Sequence, residues 1–113
     1  MVELNSFGSV LSFAIALETQ LRNIHEEAGN ADAASAAEKN RQKLERVRRE
    51  NVVEITLEPI EGLDAANYVV GAGGTPEQSE AVAAKFYADV APKINVKAAQ
   101  RALEQVGKTH AVN

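Results

Sequence analysis

Apolar side chains recur at steps of three and four through Phe7, Val10, Leu11, Ala14, Leu17, Leu21, Ile24 and Ala28. That stripe predicts a first helix, with Asn5 or Ser6 as its cap and Gly29-Asn30 as its stop. Gly8 is tolerated inside it at a cost of roughly 1 kcal/mol relative to alanine. A second helix opens on Asp32 and carries Ala33, Ala34, Ala37, Leu44, Val47 and Ile55 on its apolar face. This stripe is thin, because Asn40, Arg41, Arg48 and Asn51 fall beside or within it. Val52 to Leu57 is β-branched, but no second strand is in view, so it reads as the end of the second helix, stopped by Pro59.

Residues 57–74 read as a long connection, with a short helical turn around Leu63 to Val69 and the run Gly71-Ala72-Gly73-Gly74 at its end. No Lys-Ser/Thr follows the glycines and no buried strand precedes them, so a linker accounts for them better than a phosphate loop. Thr75, Pro76, Glu77 and Gln78 then give a strong helix start: a cap, a proline at the first helical position and a polar third residue to complete a capping box. Val82, Ala83, Phe86 and Val90 form the buried face of this third helix, which Pro92 ends or kinks. Asn95 caps a fourth helix whose Ala99, Ala102, Leu103 and Val106 point inward, and the tail from Gly107 is expected to fray.

Two helices with a short turn, a long link, and two more helices with a short turn describe an all-α protein. The expected architecture is an antiparallel four-helix bundle in one domain over 1–113: a hairpin at 5–56, a connector at 57–74 and a hairpin at 75–111. Composition agrees. Hydrophobic residues make up 45% but aromatics only 4%, so the core is built from Ala, Val, Leu and Ile on closely packed helices.

The net charge of −4 argues against a nucleic-acid partner. The basic run from Arg41 to Arg49 alternates with Glu38, Glu45 and Glu50 and reads as a solvated, ion-paired helix face. The absence of cysteine excludes disulfides, iron–sulfur clusters and thiolate zinc sites. The longest apolar stretch, Phe13 to Leu17, is too short to span a bilayer, and Met1 to Asn5 lacks a basic leader region. A cytoplasmic protein with no membrane partner is the expectation. The thin face of the second helix and the small core point to a homodimer, or to an unknown protein partner, that completes the burial.

Candidate chemistry lies in a repeated pair. Glu18 and His25 are seven apart, as are Glu80 and Tyr87, and the second pair follows the first by 62 positions. Seven residues is close to two helical turns, so each pair shares a helix face. With two histidines and no cysteine, no Ser/His/Asp or Cys/His nucleophile arrangement can be assembled.

Phe13-Ala14-Ile15-Ala16-Leu17-Glu18 followed by His25, and Glu80 followed by Phe86-Tyr87 and Ala91, resemble the first and third helices of rubrerythrin-like proteins of the ferritin-like superfamily. The resemblance implies a ferritin-like bundle in which each hairpin supplies a Glu from its first helix and a Glu-x-x-His from its second, together binding two irons. This sequence departs from that pattern in both second helices. Glu38-Lys39-Asn40-Arg41 stands where the first Glu-x-x-His belongs, and arginine cannot ligate a metal. On the fourth helix the 62-residue offset gives Gln100 and Leu103; Glu104 is followed three later by Gly107, and His110 is six positions on, on another face.

The expectation is therefore a non-catalytic bundle with no metal or other cofactor, acting as a structural or interaction module. Its polar core would comprise Glu18, His25, Glu38, Arg41, Glu80 and Tyr87, with the Arg41 guanidinium standing in for the missing cations. The alternative is a di-iron or single-metal oxidoreductase using Glu18, Glu38, Glu80, Glu104 and His25.

Overall fold

The computed structural model describes residues 7–50, 65–68, 70, 75–94 and 97–110. Four α-helices carry the described chain: α1 (Phe7–Glu27), α2 (Ala31–Glu50), α3 (Pro76–Val90) and α4 (Lys97–His110). Short 3-10 turns span Ala65–Tyr68 and Ala91–Lys93, and no strand occurs among the described residues. No described helix is long and apolar enough to cross a membrane. The expected caps Asn5, Ser6 and Asn95, the stretch from Val52 to Leu57 and most of the connector lie outside the described residues.

The turn between α1 and α2 is set by one glycine. Gly29 has φ +78°, a conformation that costs a Cβ-bearing residue energy. It lets the Asn30 amide donate back to the His25 carbonyl at 2.8 Å and the Gly29 amide to Glu26 at 3.1 Å, a Schellman ending. Asn30 then begins the next helix, since its Oδ1 accepts from the Ala33 amide at 3.1 Å. The cap of α2 is thus Asn30; Asp32, the expected cap, lies inside the helix. At the start of α3 the Thr75 side chain accepts from the Gln78 amide, and the Gln78 side chain accepts from the Thr75 amide. The expected capping box is complete.

α1 packs against α2, α3 against α4, α1 against α3 and α2 against α4. Val10, Leu11, Ala14, Leu17 and Leu21 of α1 are buried with Ala34, Ala37 and Leu44 of α2. Ala83, Phe86 and Val90 of α3 meet Ala99, Leu103 and Val106 of α4 in the same core. One end of this core is aromatic. The Phe13 and Phe86 rings are 5.1 Å apart, and Tyr68 packs edge-on to Phe86 at 5.2 Å while its hydroxyl donates to Asp89 at 2.7 Å.

α4 does not fray at Gly107. It continues to His110, whose side chain is buried. Gly107 is there because of packing: a Cβ at this position would stand 2.7 Å from the Tyr87 Cβ. The helix pays roughly 1 kcal/mol in propensity for glycine and gains close approach of α4 to α3.

Candidate functional site

Among the described residues a polar cluster interrupts the apolar interior, and each of the four α-helices contributes to it. α1 brings Glu18 and His25, α2 brings Asn40, α3 brings Glu80 and Tyr87, and α4 brings Thr109 and His110. Glu18 is 0% exposed and is among the largest fully buried side chains. A buried carboxylate is tolerated only if its lone pairs are met by donors. Here they are. The Tyr87 hydroxyl donates to Glu18 Oε2 at 2.7 Å, the Asn40 amide donates to Oε1 at 3.1 Å, and His110 Nε2 lies 2.8 Å from Oε2 and 3.0 Å from Oε1.

The other edge of the His110 ring faces Glu80, with Nδ1 in contact with Oε2. Glu80 Oε1 is 2.6 Å from His25 Nε2. His25 is itself buried, and its Nδ1 has no hydrogen-bond partner. Asn40 also donates to the Thr109 hydroxyl at 2.9 Å, and that hydroxyl donates on to the Val106 carbonyl. The Tyr87 and His110 rings lie nearly parallel, 11° apart with centroids 5.8 Å apart, which fixes the plane of the imidazole. The cluster meets solvent at Glu80 and Thr109, on an open cleft of about 470 Å³ also lined by Asn30, Ala33, Pro76 and Glu77.

The electrostatics follow from these contacts. Burial by itself lowers the pKa of His110, but hydrogen bonds to Glu18 and Glu80 and their negative charges outweigh it and raise it to about 9. Burial raises Glu80, and the hydrogen bonds and charges of His110 and His25 overcome this to hold it below its ordinary value. Burial, then the charge of Glu18, pushes the Tyr87 hydroxyl well above its ordinary value, so it remains a donor.

Four of the six residues expected in the polar core, Glu18, His25, Glu80 and Tyr87, are brought together. Glu38 and Arg41 are not part of the cluster. Arg41 lies on the outer side of α2, where its guanidinium donates to Glu38 at 2.8 Å and to Glu45 at 2.7 Å. Arg22 of α1 joins the same surface network, 2.8 Å from Glu38. The Arg41 hydrogen bond, helped by those of Arg22 and Gln42, holds the Glu38 carboxyl down at about 2 against the opposing effect of burial. Glu104, part of the alternative ligand set, is exposed on α4. Arg41 therefore does not neutralise Glu18 and Glu80; His110 occupies that place.

Three members of the cluster, Asn40, Thr109 and His110, were not singled out by sequence reasoning. Asn40 and His110 had a signal. His110 continues the apolar stripe of α4 four residues beyond Val106, and Asn40 stands three after Ala37 and four before Leu44.

The iron pair implied by the resemblance can be tested against the inward positions. Three residues before His110 stands Gly107, where even a Cβ would collide with Tyr87, so no carboxylate side chain fits. Three residues before Asn40 stands Ala37, 1% exposed and without a donor. Asn40 itself is turned to donate to Glu18. Among the described residues no three His, Asp or Glu side chains stand where they could hold a metal ion. These residues do not fit a two-iron centre. No family model matches the chain, and neither a curated protein nor a solved structure matches it.

Proposed function

We propose that this chain is an antiparallel four-helix bundle of ferritin-like topology that acts as a non-catalytic structural or protein-interaction module, without a metal cofactor, and that it associates as a homodimer. The observation that carries this reading is the replacement of ligand positions by residues committed to packing: Gly107 against Tyr87, and Ala37 in the apolar core. The remaining acids, Glu18 and Glu80, are engaged by Tyr87, Asn40, His25 and His110 rather than held open for a substrate. Association is supported by the shallow apolar groove between α3 and α4, lined by Ala84, Ala88, Ala91 and Pro92.

Anaerobic loading with ferrous iron, followed by metal analysis and measurement of oxygen or peroxide consumption, tests the reading. The expected result is iron well below one per chain and no turnover. Stoichiometric iron with turnover would replace it with an iron oxidoreductase of the rubrerythrin type. Sedimentation across a dilution series tests the dimer, which fails if the protein stays monomeric at high concentration.

A further inference from the structure

The two nitrogens of His110 both face carboxylates: Nε2 faces Glu18 at 2.8 Å and Nδ1 is in contact with Glu80. An ionised carboxylate offers only lone pairs, and so does an imidazole nitrogen without hydrogen. Two lone pairs at this separation repel, so each contact requires a proton. Glu18 already accepts from the Tyr87 hydroxyl and the Asn40 amide on its two oxygens. Glu80 has His25 Nε2 2.6 Å from its other oxygen. A ring carrying both protons meets both carboxylates at once. The parallel face of Tyr87 lies beside it, a favourable neighbour for a flat cation.

We propose that His110 is a built-in cation of the core, an imidazolium that braces Glu18 of α1 to Glu80 of α3, and that the space its ring fills is a binding site for a small planar cation once the ring is removed. This rests on the metal-free reading above and adds to it the identity of the group that replaces the metal. The ring is held from three sides, by two carboxylates and a stacked tyrosine, and is itself 4% exposed. A free imidazolium can make the same contacts. A spherical monovalent ion such as sodium has no hydrogen to donate and cannot.

Nitrogen-15 NMR of the iron-free wild-type protein at neutral pH reads the ring directly and needs no variant. The expected result is a proton on each nitrogen of His110; one bare nitrogen overturns the inference. His110→Gly should lower the folding equilibrium constant roughly 100-fold or more, the scale of leaving buried charge unpaired. Added imidazole should restore much of it while equal sodium chloride does not, and equal recovery in both, or none with imidazole, would overturn the proposal. If the variant does not fold at all, the NMR result decides. Stoichiometric iron in the wild type would sink the metal-free reading, whereas a bare ring nitrogen in iron-free protein sinks this inference alone.

Discussion

Glu18 and His110 are 92 positions apart, yet His110 Nε2 lies 2.8 Å from Glu18 Oε2 with both side chains buried. The contact ties the middle of α1 to the last turn of α4. Burial of an unpaired charge costs several kcal/mol, so each residue is stabilised in the interior by the other. The remaining cluster residues complete that pair.

Tyr87 donates to Glu18 from a ring that is 1% exposed. Tyr87→Phe keeps the ring and deletes only the donor. It should cost about 1.5–3 kcal/mol, the range for a hydrogen bond to a charged group. Urea denaturation of the two proteins measures it; a change near zero would mean that solvent replaces the hydroxyl.

Gly107→Ala separates two opposed effects. Helix propensity alone would stabilise the variant by roughly 1 kcal/mol. The new Cβ, however, would stand 2.7 Å from the Tyr87 Cβ, and overpacking of this kind costs about 1–3 kcal/mol. A net loss of stability is expected in thermal unfolding. A gain would show that α3 and α4 separate easily at this point.

Stability should depend on pH through His110. Its pKa is raised from 6.5 to about 9 in the folded protein. A group raised in this way contributes its stability in full below pH 6.5 and loses it as pH climbs through 9. Glu18, Glu80, His25 and Tyr87 face it, and Tyr87 acts in the same direction at higher pH. Glu80, lowered, contributes above its unfolded value and loses the contribution as pH falls through its folded one. Denaturant midpoints should therefore fall between pH 6.5 and 9, by a few kcal/mol in free energy, and His110→Gln should flatten that slope.

Arg41 supplies the contrast. Its ion pairs with Glu38 and Glu45 are on the partly exposed side of α2, where solvent screens them and leaves them weak. Arg41→Ala should leave the alkaline slope unchanged and lower stability far less than loss of His110 does. A loss comparable with that of His110 would place the guanidinium in the core.

These cases also show what could be read from the sequence. The stripes of α1 and α3 and the Thr75 capping box were legible because each rests on local spacing. The choice between Asn40 and Arg41 was not, since each stands three or four residues from both Ala37 and Leu44. Energetics decided it: a guanidinium has Glu38 and Glu45 within reach at the surface, whereas a neutral amide can be buried with hydrogen bonds to Glu18 and Thr109. His110 was hidden by Gly107, whose usual meaning near a helix end is a stop. Its actual cause, contact with Tyr87, is a tertiary relationship that local pattern does not carry.

A double-mutant cycle on Glu18→Gln and His110→Gln tests the buried pair most directly. His110→Gln should destabilise by about 3 kcal/mol or more, because it takes the cation away from buried Glu18, and Glu18→Gln should cost less, because His110 keeps its contact with Glu80. The double variant, with neither charge left, should cost at least ~2 kcal/mol less than the sum of the two. Strict additivity would contradict a charged contact between Glu18 and His110.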